Sequence, residues 1–386
     1  MSGFDFSASH RRLEQVLRQG VEQGDFPGAV AWMACHGEEA PVLAVGQRDP
    51  ALPHAMGSDA VFWIASMTKP ITTAAAMMLV DEGLLRLDDP VCHYLPALQR
   101  LATEDATPCQ PTVRDLMRHT AGFTYGFLGD GPVHRAYQAA GVYGFDQTNQ
   151  AMVDKLARLP LLYPPGSTFE YGMSTDVLGA VVEVCSGQDL ARCLAERVLA
   201  PLGMADTGFS LSPGQLARVA RPFGHEAFDL APPPAGAAWA SGGSGLWSTA
   251  ADYGRFARML LNGGRGPGGV LLSVRALAEM RRPQLPPGVG FGPYVAALGP
   301  VAPLPTMGQG FGLGLSIRLD GLTHPLPGGS GDFCWPGMSG CQFWCDPQHG
   351  LVVVVMMQAP SRRLTYRACA RQAVYGGAGP ATEGLS

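Results

Sequence analysis

A chain of 386 residues, 46% hydrophobic and 15% charged, has ample material for a core, and that composition excludes a disordered protein. Its length exceeds the usual single domain, so one large or two interleaved domains are expected. A net charge of −5 with no block of basic residues argues against nucleic acid or an anionic membrane surface as partner.

No apolar run reaches membrane-spanning length. The opening Met1-Ser2-Gly3-Phe4-Asp5-Phe6 lacks the charged start and apolar stretch of a signal peptide, so a cytoplasmic location is expected. The nine cysteines are scattered, form no Cys-x-x-Cys and read as reduced thiols, mostly buried. The histidines show no ligand spacing, so neither a metal nor a cofactor is expected.

In chain order, residues 9–23 carry helical spacing, with Leu13, Val16, Leu17 and Val21 on one face. Residues 28–47 predict two strands about a His36-Gly37-Glu38 turn. Phe62–Ala65 leads into an Ala- and Met-rich helix that ends at Gly83, a suitable cap. Helices are predicted at 112–119 and 148–159, separated by a Gly- and aromatic-rich loop from Ala121 to Gly144. Two more follow at 174–186, with Ser174 as its N-cap, and at 189–199. Residues 231–236 have linker composition. A helix near 249–262 precedes a Pro/Gly-rich stretch at 283–310. Strands are predicted at 311–319, 340–346 and 350–358, and a last helix at 361–375. This order predicts an α+β fold, with a mostly antiparallel sheet built from both chain ends and a helical insertion between them. The boundaries read as 1–95 and 235–386 for the sheet domain and 96–234 for the mainly helical domain, with the site between the two.

Only two lysines occur, Lys69 and Lys155, against twenty-five arginines. Arginine stays protonated in any protein, whereas a desolvated lysine amine can act as a base. Ser66-Met67-Thr68-Lys69 therefore reads as a nucleophile with its base one helical turn away. Pro70 is tolerated only near a helix start, which puts Ser66 at the N-terminus with its N–H free for an oxyanion. The residue before a proline resists the α conformation, so an irregular first turn is expected. Pro164-Pro165-Gly166-Ser167-Thr168-Phe169-Glu170-Tyr171 delivers a tyrosine just ahead of a helix, suited to relaying the serine proton. Trp335-Pro336-Gly337-Met338-Ser339-Gly340 precedes an apolar strand, and the Met338 N–H offers a second oxyanion donor. No serine is flanked by glycines at −2 and +2, so the nucleophile elbow of ordinary α/β-hydrolases is absent. Gly328-Gly329-Ser330-Gly331 reads as a hinge beside the site.

Together these stretches resemble the serine β-lactamase/penicillin-binding superfamily, and in it the class C β-lactamase-like branch that contains family VIII carboxylesterases. Ser66-Met67-Thr68-Lys69 is similar to its S-x-x-K motif. Tyr171 stands where its tyrosine motif begins. Arg118-His119-Thr120-Ala121-Gly122 resembles its H-T-[SA]-G signature, in which His119 reads as structural. Gly242-Gly243-Ser244-Gly245-Leu246-Trp247-Ser248-Thr249-Ala250-Ala251-Asp252-Tyr253 resembles the segment before its later helices. The β-lactamases of this branch carry Tyr-x-Asn and Lys-Thr-Gly, but this chain has Tyr171-Gly172-Met173 and Trp335-Pro336-Gly337. Both changes remove polar handles and are expected to enlarge apolar surface.

The resemblance implies a serine carboxylesterase acting on neutral, short-chain esters through an acyl-enzyme. Ser66 is then the nucleophile, Lys69 and Tyr171 share its proton, and the Ser66 and Met338 N–H groups hold the oxyanion. Trp335, Gly337, Phe123, Tyr125 and Phe127 are the expected substrate contacts. A β-lactamase or D-alanyl peptidase, an acyltransferase on the same fold, and a silent binding or scaffold protein remain as alternatives. A small-molecule ester is the only partner implied, and the oligomeric state is open.

Overall fold

The computed structural model describes residues 4–226, 230–232 and 239–376. Most of the Ala231–Gly236 linker therefore lies outside the described residues. Its sheet is formed by β1 (Gly28–Cys35), β2 (Leu43–Asp49), β3 (His54–Ala55), β4 (Gln309–Phe311), β5 (Ser316–Arg318), β6 (Phe333–Cys334), β7 (Gln342–Asp346) and β8 (Leu351–Met357). Their spatial order is β4-β5-β6-β7-β8-β1-β2-β3, with Glu38–Glu39 pairing to β1 as a short extension. Every pair is antiparallel. The centre joins the two ends of the chain, with Ala29 opposite Met357 and Cys35 opposite Leu351.

β8 is Leu-Val-Val-Val-Val-Met-Met and is buried at every position, so both faces of the sheet must be covered. α1 (Phe6–Glu22) and the final helix Arg363–Tyr375 pack on each other, and α1 also contacts β1. The helix Ala250–Leu261 packs on β1, β7 and β8. There Gly254 admits the Trp32 ring, which a side chain at 254 would meet at 2.5 Å.

The other α-helices of five or more residues begin with α2 (Thr68–Asp81), α3 (Val113–Met117), α4 (Pro132–Ala139), α5 (Asn149–Leu156), α6 (Ser174–Ser186) and α7 (Leu190–Leu194). Then come α8 (Ala250–Leu261), α9 (Val274–Arg281) and α10 (Arg363–Tyr375). α6 is buried over its first nine residues and packs against α2, α3, α5 and α7. Among the described residues no helix is long and apolar enough to cross a membrane.

Several expectations need correction. The single strand expected at 311–319 is a hairpin, β4 and β5, because the Gly312-Leu313-Gly314 segment turns with Gly314 at φ 71°. β6 was hidden by its brevity. The Ala121–Gly144 loop contains α4, whose Pro132 occupies a favoured first-turn position. α9 and the 3-10 turns at Pro293–Val301 were likewise unread. Ser174 is the first residue of α6 rather than its cap, and its Oγ has no partner.

Candidate active site

The nucleophile turn is held from three sides. Phe62–Trp63 pairs with Trp247–Ser248, and the Ile64 N–H donates to the Leu246 carbonyl at 3.1 Å. The Leu246 N–H in turn donates to Thr68 Oγ1 at 3.1 Å, and Tyr253 Oη donates to the Met67 carbonyl at 2.8 Å. Ala65–Met67 forms one 3-10 turn before α2. Lys69, the residue before Pro70, lies inside α2, so the expected resistance to the α conformation does not hold there and the irregular turn falls ahead of Thr68. Ala65 has φ 46°, a left-handed backbone that costs a non-glycine residue about 1–3 kcal/mol. Such strain beside a reactive residue persists only because these neighbouring bonds impose it.

Ser66 Oγ lies 2.7 Å from Tyr171 Oη and 3.5 Å from Lys69 Nζ. Lys69 is 1% exposed, and its amine also donates to Tyr125 Oη at 3.1 Å and to the Gly243 carbonyl at 2.8 Å. It sits 4.7 Å from the centre of the Tyr171 ring. Tyr125 Oη donates to Asp176 Oδ2 at 3.2 Å. The other Asp176 oxygen accepts from Ser241 Oγ at 2.5 Å and from the Gly243 N–H at 3.0 Å. Burial raises the Asp176 carboxyl, while Lys69 and these hydrogen bonds oppose the rise.

Tyr171 is walled by rings, with His119 at 4.9 Å, Trp335 at 5.4 Å and Tyr125 at 5.9 Å between centroids. His119 has φ 56°, and neither of its ring nitrogens has a partner. Burial and the Lys69 charge push its pKa well below the usual histidine value, so it stays neutral. Gly172 lets the chain lie against the 123–125 loop, since a side chain there would meet the Phe123 carbonyl at 2.3 Å. Thr124 Oγ1 fastens the same two segments by donating to Glu170 Oε1 at 2.7 Å.

Glu170 Oε2 is buried without a partner, and burial raises its carboxyl from 4.5 to about 7. Between those values the folded chain holds a proton that the unfolded chain has released. Stability therefore falls as pH rises through that window and is level above it. Urea unfolding of wild type at pH 4.5 and pH 7.5 is expected to show a decline on the order of 3 kcal/mol from this group. Glu170→Gln removes that decline, and an unchanged pH slope in the variant counts against the assignment.

The Trp335-Pro336-Gly337-Met338 turn reaches the nucleophile through Gly337, where a side chain would meet the Ile64 carbonyl at 2.4 Å. Neither the Ser66 nor the Met338 N–H has a protein acceptor among the described residues.

Other expected contacts are placed differently. Trp335 is buried between Tyr171 and Phe311, so it backs the tyrosine instead of presenting a broad face to a ligand. Met173 is fully buried and enlarges no exposed apolar surface. Phe123 is core. Tyr125 acts through its hydroxyl on Lys69. The Gly328–Gly331 stretch packs on Asp346, where the Gly329 N–H donates at 2.8 Å, and on Arg371, not beside Ser66. Phe127 is half-exposed and stacks on Tyr125 at 5.1 Å. It begins a series that continues through Tyr143 at 5.5 Å to Phe145 at 5.9 Å and Trp239 at 5.4 Å.

The roles of Tyr125, Gly243 and Asp176 at Lys69 were not read from the sequence. Asp176, two residues into α6 beside an aromatic-rich loop, was the available signal. Among the described residues no group of three or more His, Cys, Asp or Glu side chains is placed to hold a metal ion.

Known proteins similar to this chain agree along nearly its whole length. Protein Rv1367c of Mycobacterium tuberculosis is 37% identical over 362 residues, covering 89% of this chain and 88% of that protein. Esterase EstB of Burkholderia gladioli is 33% identical over 378 residues, covering 91% of each. The solved structure of EstCE1, a hydrolase with promiscuous acyltransferase activity, is 28% identical with a TM-score of 0.83, covering 96% of this chain and 99% of that one. The sequence profile of the Beta-lactamase family matches residues 13–375, and the chain belongs to that family.

Proposed function

We propose that this protein is a serine carboxylesterase, of the family VIII type, acting through an acyl-enzyme on Ser66. The observation that carries the reading is a serine hydroxyl 2.7 Å from a tyrosine hydroxyl and 3.5 Å from a buried lysine amine. An alcohol attacks an ester only as its proton leaves. Tyr171 and Lys69 flank that proton and share it. The Ser66 and Met338 N–H groups receive the charge that forms on the carbonyl oxygen, each worth on the order of 3 kcal/mol in the transition state. Tyr171 then returns a proton to the departing alcohol, and water, activated by the same pair, releases the acid.

Residue 335 is a buried tryptophan where the family's lactam-hydrolysing members place a lysine, so a carboxylate-bearing lactam loses that anchor. Uncharged esters are the favoured class. The exposed faces of Phe127 and Phe145, 49% and 47% exposed, form an apolar wall one ring away from Tyr125 and hold the hydrophobic part of the ester. Phe127→Ala is expected to raise KM about fivefold for p-nitrophenyl hexanoate and to leave p-nitrophenyl acetate nearly unchanged. Equal KM changes for both esters would remove Phe127 from the pocket.

The test of the main reading is covalent labelling. A fluorophosphonate is expected to modify wild type at Ser66, found by peptide mass, with loss of esterase activity. Ser66→Ala is expected to resist labelling and to be inactive. Activity that survives in Ser66→Ala sinks the mechanism. Acyl transfer is the second reading, favoured by the likeness to EstCE1. Product analysis with a competing alcohol separates transfer from hydrolysis.

A further inference from the structure

α10 carries two buried arginines one turn apart, Arg367 and Arg371. Arg371 is paired with Asp332 through both terminal nitrogens. Arg367, 4% exposed, has no acid within ion-pair distance among the described residues. Its terminal nitrogens donate to two carbonyls, Leu298 at 3.4 Å and Gly337 at 3.0 Å, and its Nε has no partner. Burial and the neighbouring Arg363 charge push its pKa down to about 10, which leaves it a cation at neutral pH. A buried charge without a counter-ion is costly, and an apolar side chain fills such a helix position more cheaply. Packing alone does not account for a guanidinium here.

The Gly337 carbonyl and the Met338 N–H are the two ends of one trans peptide and point in opposite directions. That carbonyl also accepts from the Gly340 N–H at 3.4 Å within its own turn, and the shorter bond from Arg367 acts with the turn to set where the N–H points. A cationic donor also draws electron density toward that oxygen and leaves the N–H a stronger donor. The far end of the peptide has no protein acceptor among the described residues. Gly337 rests on the Ile64 carbonyl, so the peptide lies beside the segment that carries Ser66. We propose that Arg367 is a positioning residue for the oxyanion, orienting and polarising the Gly337–Met338 peptide toward the charge formed when Ser66 attacks. This rests on the acyl-enzyme reading, which wild-type labelling by a fluorophosphonate tests separately.

The experiment compares Arg367→Lys, Arg367→Gln and Arg367→Met in the full chain, each checked for folding by thermal melting. For p-nitrophenyl butyrate, kcat is expected to fall about tenfold in the Gln and Met variants while KM holds. That is less than the ~10²- to 10³-fold lost when an oxyanion donor is deleted. An aryl boronic acid, whose tetrahedral adduct mimics the charged intermediate, is expected to bind about tenfold more weakly in parallel. Arg367→Lys is expected to recover part of both. Folded Gln and Met variants with wild-type kcat and boronate affinity overturn the proposal. Unfolding of all three variants assigns the guanidinium to the fold alone and overturns it too. Absence of labelling in wild type removes the acyl-enzyme reading instead.

Discussion

Lys69→Arg is expected to abolish ester hydrolysis, with kcat/KM down by on the order of 10³-fold, although both side chains are basic. Two physical reasons act together. The lysine is enclosed, with its amine in reach of Ser66, Tyr125 and the Gly243 carbonyl, and a planar guanidinium cannot take the same place among them. A guanidinium also cannot give up a proton in a protein, so it cannot share the one leaving Ser66. Everywhere else this chain has taken arginine for its cations, with Lys155 as the sole other exception. Steady-state kinetics with p-nitrophenyl butyrate provide the measurement. An arginine variant retaining a tenth of wild-type activity would mean that Lys69 acts only as a fixed charge.

The second large effect is Tyr171→Phe, which removes the hydroxyl 2.7 Å from Ser66 Oγ and leaves the rings of His119 and Trp335 something to pack on. A loss of about 10²- to 10⁴-fold in kcat is expected, the range for deleting a proton-transfer group, with KM nearly constant. Tyr125→Phe is the informative contrast. Its hydroxyl links Lys69 to Asp176 but does not touch Ser66, so its loss should be smaller and felt through the orientation of the amine. If the two variants were equally impaired, Tyr171 would have no distinct place in the proton path. Burst kinetics in both variants would show whether acylation or deacylation has slowed.

The parts legible in the sequence were those set by short-range chemistry. Pro70 calls for a helix start close by, and α2 begins at Thr68 directly after the Ala65–Met67 turn. The run 350–358 reads as a strand, and β8 (Leu351–Met357) is one, buried at every position. The pairing of S-x-x-K with a distant tyrosine was readable as a pattern, and the structure brings Ser66, Lys69 and Tyr171 within hydrogen-bonding reach.

What stayed hidden depends on contacts between segments remote in the chain. Tyr125 reads as a substrate contact in an aromatic-rich loop until the fold brings Lys69 and Asp176 to its hydroxyl. Met173 and Trp335 look like additions to a pocket surface, yet both are buried, Trp335 between Tyr171 and Phe311. α4 was missed because the glycines and aromatics around Pro132 carry a loop's composition, and its burial of Val133 and Tyr137 comes from tertiary packing. Arg367 gave no sign at all, since an arginine on an amphipathic helix reads as a solvated residue until both of its bonded carbonyls are located.

The pairing of β1 with β8 has a consequence for biosynthesis. β1 leaves the ribosome long before its central partner β8, and α1 waits longer still for α10. Ser9 Oγ donates to the Val374 carbonyl 365 positions away. Throughout that interval β1 is an apolar strand with one open edge, and the strained Ala65–Ser66 turn lacks the Gly337 contact until residue 337 is made. Native pairing at the sheet centre is thus postponed until β8 is made, and until then the open edge of β1 needs protection from other strands.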